Sequence, residues 1–257
     1  MIEELFSLTG RVAVITGGNS GLGRAMALAY RAAGAEVVVT GRNLEKNRAI
    51  GQELGDPGLV MPLDVYDEPA VEHVIGQVVE RFGKLDILVN NAGAARRGFA
   101  PEVSKDDWER ILNGNLTGAF LCAKHAARAM IAGGHGGKII NIGSIYSLLG
   151  PPNITSYATS KAGLLGLTRS LAVELAKHNI QVNAILPGWY MTPMNSHHKN
   201  TPLADYIRRK TPAGRWGEPS DMAGLAILLA SAASDFMTGA AIPVDGGYSI
   251  TDRLLYD

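Results

Sequence analysis

The chain has 257 residues, and 24 Lys and Arg balance 24 Asp and Glu, so no basic stripe marks it as a nucleic-acid partner. Hydrophobic residues make up 46% and charged residues 19%, ordinary values for a globular chain with an ample core. Its single cysteine, Cys122, excludes an internal disulfide framework and a thiolate metal cage, and the apolar run around it reads as a packed thiol.

Residues 1–10 carry two acids and lack the basic-then-apolar layout of a signal peptide. No apolar run reaches the ~20 residues of a membrane span, so the expectation is a cytoplasmic protein with no membrane partner. In chain order, β-branched and apolar runs predict strands at 11–16 (RVAVIT), 36–40 (EVVVT), 59–63, 86–90 (DILVN), 138–142 (KIINI), 181–186 and 241–244. Helical spacing between them predicts helices at 21–33, 44–54, 68–82, 106–132, 156–178 and 219–230. Strands followed by long helices imply right-handed crossovers and an α/β, doubly wound parallel sheet with helices on both faces. The alternation runs to the end, so 1–257 reads as one domain. The exception is 189–214, where Pro193, Pro202, Pro212 and the pair His197-His198 suggest a loop with a short helix. A structureless loop of that length is usually functional or disordered, and here it reads as a substrate lid.

Thr16-Gly17-Gly18-Asn19-Ser20-Gly21-Leu22-Gly23 follows the first strand and opens the first long helix. Glycines there allow a tight turn and close backbone approach to a pyrophosphate, and the helix N-terminus adds free N–H groups and partial positive charge. The second strand ends at Gly41-Arg42-Asn43 with no acid to accept from ribose hydroxyls. Arg42 could clamp a 2′-phosphate, which favours NADP(H) over NAD(H), or it could be a solvated helix-start residue. Asp64, beside Val65 after the third strand, could accept from an adenine amino group or cap the following turn. Asn90-Asn91-Ala92-Gly93 ends the fourth strand, on the side of a parallel sheet where ligands collect.

Tyr157 and Lys161 stand four apart on a predicted helix and share a face. A phenol is a poor base at neutral pH, and a nearby ammonium favours its ionised form. Ser144 follows a strand and could hold a substrate oxygen beside Tyr157, while Tyr146 could line the same pocket and Trp189 opens the lid. Asn115 lies inside the 106–132 helix, where its bland reading is an ordinary polar residue. Arg96 and Arg97 leave the Asn90–Gly93 turn at the pocket rim, and their guanidinium groups, Arg96 in particular, suit an anionic substrate or simply face solvent. His197-His198 cannot both face one ion and have no completing ligands, so no metal site is expected. Met191 and Met194 offer an adaptable apolar surface, and Asp205 with Arg208, Arg209 and Lys210 reads as a solvated helix face.

The glycine loop Thr16–Gly23, Asn90–Gly93, Asn115, Ser144, Tyr157-x-x-x-Lys161 and Pro187-Gly188 together resemble the short-chain dehydrogenase/reductase family, in order and spacing and over essentially the whole chain. The resemblance implies a Rossmann-type sheet of seven strands in the order 3-2-1-4-5-6-7, an NAD(P)-dependent oxidoreductase acting on an alcohol or ketone, and a homotetramer. It implies that Tyr157 exchanges the substrate proton, Ser144 positions the carbonyl or hydroxyl, and Lys161 lowers the Tyr157 pKa and binds the nicotinamide ribose. Asn115 would hold a relay water. Gly17, Asn19, Ser20, Gly21, Leu22, Gly23, Arg42, Asp64, Val65, Asn91, Ala92, Gly93, Pro187, Gly188 and Thr192 would contact the cofactor.

Arg96-Arg97, the stretches 176–180 and 212–217, and Val244-Asp245-Gly246-Gly247 are similar to the family's sugar-acid members, gluconate 5-dehydrogenase and 2-deoxygluconate 3-dehydrogenase. The 3-oxoacyl-carrier-protein reductases share several of these stretches and form the alternative. A non-catalytic NAD(P) sensor would be expected to have lost Tyr157 or Lys161, and both are present.

Overall fold

The computed structural model describes residues 2–55 and 59–252. Of the expected domain 1–257, residues 1, 56–58 and 253–257 lie outside the described residues. Seven strands form one sheet in the order β3-β2-β1-β4-β5-β6-β7: β1 Val12–Thr16, β2 Glu36–Gly41, β3 Val60–Pro62, β4 Ile87–Asn90, β5 Gly137–Ile142, β6 Ile180–Pro187 and β7 Ala241–Val244. Every pairing is parallel, with Val14 of β1 opposite Val38 of β2 on one side and Leu88 of β4 on the other.

The continuous apolar strands are buried on both faces, and their period of two divides the core. Val12, Val14, Leu88, Ile139 and Val182 pack beneath α4 (Glu68–Phe82), α6 (Gly118–Gly133) and α7 (Thr155–Leu175). Ala13, Ile15, Val39, Ile87, Ile140 and Ile185 pack beneath α2 (Gly21–Ala32), α3 (Leu44–Leu54) and α9 (Ala223–Ala230). Side-chain caps start three of the helices. Asn43 accepts from Lys46 N at α3, Asp67 from Ala70 N at α4, and Ser104 from Asp107 N at α5 (Lys105–Leu112). Left-handed glycines Gly55, Gly83 and Gly134 end α3, α4 and α6.

Two elements depart from the sequence reading, and the 189–214 segment follows it. A short helix α1, Ile2–Phe6, precedes the sheet. The expected helix 106–132 is α5, then a π turn at Asn113–Thr117, then α6. Apolar periodicity continues through that turn, so nothing in the pattern announces it; π bulges concentrate at functional sites. The 189–214 segment contains a 3₁₀ turn at Ser196–His198 and helix α8, Pro202–Lys210. Its base is closed by main chain: Gly217 N donates to Trp189 O and Met191 N to Gly217 O, both at 2.9 Å. Among the described residues no helix is long and apolar enough to cross a membrane.

Candidate active site

The carboxyl ends of the central strands open into a cleft of about 890 Å³. Its nucleotide end is built mainly of backbone. Gly17 and Gly21 take positive φ, +63° and +55°, which side-chain-bearing residues rarely adopt. A Cβ on Gly23 would collide with Asn91 Nδ2 and stand 2.5 Å from Gly17 O. Asn91 earns that tight fit by donating to Thr16 O and Gly17 O, each at 3.0 Å, which fastens the end of β4 to the loop after β1. Thr16 Oγ1 accepts from Asn91 N and Ala92 N across the same seam. Unlike α3, α4 and α5, helix α2 has no side-chain cap, because the Ser20 hydroxyl leaves the first turn unsatisfied. An uncapped N-terminus behind a glycine-rich turn fits a bound pyrophosphate.

Beyond β2 and β3, Arg42, Asn43, Lys46 and Asp64 line the cleft. Arg42 Nη1 lies 3.7 Å from Asp64 Oδ2, and Asp64 Oδ1 also accepts from Tyr66 N, as a turn cap would. Asn19 donates to Asn47 Oδ1 and Asn47 to Gly41 O, at 2.6 and 2.8 Å. Leu22, Val65, Ala92, Gly93, Pro187, Gly188 and Thr192 also line the cleft, whereas Gly23 is packed behind it.

At the reacting end Ser144, Tyr157 and Lys161 face the same space. Ser144 leaves β5 and caps a 3₁₀ turn reciprocally with Ser147, and Ser147 Oγ donates to Lys161 O at 2.7 Å, tying this turn to α7. Burial raises the Tyr157 phenol above its ordinary pKa, and the Ser144 side chain beside it pulls the value back down. Burial takes Lys161 down to about 8. The Lys161 ammonium donates to Ile142 O at 2.7 Å and stands 5.8 Å from the Tyr157 ring centre. Ser144 thus lowers the phenol pKa by direct contact, and the Lys161 charge acts on it from 5.8 Å.

Asn115 is buried in the π turn. Its Nδ2 donates to Ala94 O and Ser160 Oγ, and its Oδ1 accepts from Ala94 N at 2.8 Å. Both amide hydrogens are used, so only Oδ1 keeps an accepting position for a relay water. The residue joins the turn after β4 to α7, since Ser160 Oγ in turn donates to Tyr157 O.

Arg96 lines the cleft with its Nε 2.9 Å from Asp107 Oδ2. Arg110, which the sequence reading did not single out, also lines the cleft and shares Asp107 through Oδ1 at 2.8 Å. Arg97 has no ion-pair partner among the described residues; burial raises the Tyr146 phenol and lowers His198, and the Arg97 charge opposes the first shift and adds to the second. Tyr146 and Trp189 do not line the cleft. They pack edge to face at 6.2 Å in an adjoining cluster where Trp189 also meets Trp216 at 5.4 Å and His198 at 6.2 Å. The His197 and His198 rings lie 3.8 Å apart at a 45° tilt. No group of three or more His, Cys, Asp or Glu among the described residues could hold a metal. Met194 lines the cleft and Met191 packs into the aromatic cluster. In α8, Ala204 and Ile207 are buried while Asp205 pairs with Arg208. Lys46, Arg110 and Asn195 are cleft residues that the sequence reading missed. Lys46 carried a visible signal, a cation four residues after Arg42.

A family model described as enoyl-(acyl carrier protein) reductase matches residues 17–249. The chain is 44% identical to 2-dehydro-3-deoxy-D-gluconate 5-dehydrogenase of Escherichia coli, over 96% of this chain and 99% of that one. It is 37% identical to a 3-oxoacyl-[acyl-carrier-protein] reductase of Thermotoga maritima, over 95% of this chain and 99% of that one. Among solved structures it is similar to a gluconate 5-dehydrogenase from Burkholderia cenocepacia in complex with NADP and tartrate, with TM-score 0.92, 39% identity and coverage of 98% and 100%.

Proposed function

The chain belongs to the short-chain dehydrogenase/reductase family, whose members are NAD(P)-dependent oxidoreductases, and on that premise we propose that it interconverts a secondary hydroxyl and a ketone on a sugar acid, using NADP(H). The observation that carries this reading is the convergence of Ser144, Tyr157 and Lys161 on the cleft into which the glycine cradle opens. Bound there, the nicotinamide supplies or accepts the hydride.

The rest falls to the protein. Tyr157 gives its phenolic proton to the carbonyl oxygen in reduction and takes it back in oxidation. Ser144 holds that oxygen and offsets part of the rise that burial imposes on the phenol. Lys161 binds ribose hydroxyls and, while charged, favours the phenolate. Gly17, Asn19, Ser20, Gly21 and Leu22 cradle the pyrophosphate, and Gly23, packed behind them, lets α2 approach the loop closely. Asp64, Val65, Asn91, Ala92, Gly93, Pro187, Gly188 and Thr192 hold the rest of the cofactor.

Sugar-acid chemistry is supported by the names of the relatives and by the tartrate in the Burkholderia structure. It is also supported by Arg96 and Arg110, which line the cleft, and by Arg97, which lines a smaller cavity that shares Arg96. With Arg96 and Arg110 both drawn to Asp107, the guanidinium of Arg97 is the freer of the pair to receive a carboxylate, and Arg96 keeps unused N–H groups for the same purpose. Tyr146 and Trp189 shape the pocket from behind its lining. Residues 1–257 act as one catalytic domain, with 189–214 as its substrate lid. Exposed Phe120, Ile131 and Val173 offer apolar surface to a homotetramer in the cytoplasm.

The Thermotoga maritima relative favours a second reading, reduction of a 3-oxoacyl thioester. Reduced-nicotinamide absorbance, followed over keto sugar acids and acetoacetyl thioesters with each cofactor, separates the two. The first reading expects kcat/KM for a keto acid at least about tenfold above that for any thioester, which is ~1.4 kcal/mol of transition-state preference. The reverse order establishes the second.

A further inference from the structure

Lys46 occupies a place that the fold itself disfavours. It lies in the first turn of α3, where Asn43 accepts from its backbone N–H. A helix N-terminus carries partial positive charge and favours acids, so a lysine there is repelled by its own helix unless an anion stands between them. Its side chain is exposed and lines the cleft beside Gly41, Arg42 and Asn43, at the end beyond β2.

That corner is a built frame. Asn47, one residue further along α3 and buried, ties the helix to the glycine loop through Asn19 and to the end of β2 through Gly41 O. A Cβ on Gly41 would stand 2.7 Å from the Asn19 side-chain carbon, so the three segments meet without room for another atom. Lys46 is therefore presented on a fixed base. No ion pair engages Lys46 among the described residues, whereas Arg42 already faces the carboxylate of Asp64 at 3.7 Å.

We propose that Lys46 is a specificity-determining residue for the cofactor, its ammonium receiving the 2′-phosphate of NADP(H) together with Arg42 and carrying more of the discrimination than Arg42 does. Charge balance gives the reason. Arg42 and Asp64 sum to zero, so a dianionic phosphate gains little net attraction from that pair. Lys46 brings a charge that no ion pair engages among the described residues, and the N–H groups of the first turn of α3 reinforce it, with Glu45 as the one acid of that turn. An adenosine that ends in a plain ribose hydroxyl gains nothing from the ammonium. The inference rests on the NADP(H) reading, and its test separates the two.

The measurement is equilibrium binding, by calorimetry or nicotinamide fluorescence, of NADPH and NADH to the wild-type protein and to the Lys46→Gln, Lys46→Arg and Arg42→Gln variants. Adenosine 2′,5′-bisphosphate and AMP serve as fragments that lack nicotinamide. The wild-type NADPH to NADH affinity ratio alone judges the cofactor reading. The change in that ratio on substitution judges Lys46, whichever cofactor the wild type prefers. Lys46→Gln should lower the ratio about tenfold or more, as expected for a lost hydrogen bond to a charged group, with the same drop for the bisphosphate over AMP. Lys46→Arg should keep the ratio within about threefold, and Arg42→Gln should lower it less than Lys46→Gln does. Equal losses for NADPH and NADH, an unchanged ratio, or a larger effect from Arg42→Gln would overturn the proposal. The exposed position of Lys46 leaves the fold intact in every variant, which a thermal melt verifies.

Discussion

The two ends of the cleft are made of different material. At the nucleotide end the contact surface is main chain: Gly17, Gly21 and Gly23, the carbonyls that Asn91 engages, and the uncapped first turn of α2. At the reacting end it is side chain: Ser144 from the end of β5, Tyr157 and Lys161 from α7, and the arginines around Asp107. The backbone cradle leaves little room for change, because the Cβ missing from Gly17 and Gly23 is where a neighbour sits and Gly21 holds a positive φ. A side-chain constellation can lose a hydroxyl or an ammonium without moving its scaffold. The first end should therefore fail through structure and the second through chemistry.

The widest separation is expected at Tyr157. Tyr157→Phe should reduce kcat by ~10²–10⁴-fold, the usual contribution of a positioned acid/base group, and leave cofactor affinity within about twofold. A variant that kept half its turnover would remove the phenol from the proton step. Gly23→Ala is the counterpart at the other end. Its methyl collides with Asn91 and Gly17, so it should cost ~1–3 kcal/mol in stability and weaken the cofactor by about tenfold or more. Thermal unfolding with a cofactor titration checks it, and unchanged values for both would mean that the cradle is softer than its contacts imply.

The arginines sharpen the comparison within the reacting end. Arg97→Ala should raise KM for keto acids about tenfold and leave neutral ketones almost unaffected, since only the acid loses a charged hydrogen bond. Arg96→Ala should do so more weakly, its guanidinium being shared with Asp107. Equal effects on acids and neutral ketones would make both residues part of the wall and nothing more.

The smallest effect concerns Lys161. Burial holds its folded pKa at about 8, below the ordinary 10.5. Below pH 8 the buried ammonium is destabilising. Between about 8 and 10.5 the unfolded chain keeps a proton that the folded chain has lost, so this group makes stability rise with pH. Lys161→Met should thus melt roughly 2–4 °C above the cofactor-free wild type at pH 7, the counterpart of ~1 kcal/mol, and the gap should narrow as pH climbs toward 10. A gap independent of pH would show that the lysine is not a buried charge.

Residues close in sequence carried the readable part. The strands are runs of β-branched and apolar residues flanked by turn residues, and their period decides which face each residue covers, so the sheet and its two helical layers followed. The glycine loop was legible because its constraints are local, each glycine acting on backbone a few residues away. Tyr157 and Lys161 were legible for the same reason, one helical turn apart on a single face. Tertiary structure alone decided the remainder. The π turn at Asn113–Thr117 exists because Asn115 reaches Ala94 and Ser160, 21 and 45 residues distant, and apolar periodicity carries no trace of those bonds. The partner of Arg96 is Asp107, and the Ser144 side chain is what pulls the raised Tyr157 pKa back down. A pKa, an ion pair or a kink depends on which groups share a few ångströms of low-dielectric space. Spacing along the chain determines that only within one element; between elements it is set by how the sheet and its helices pack.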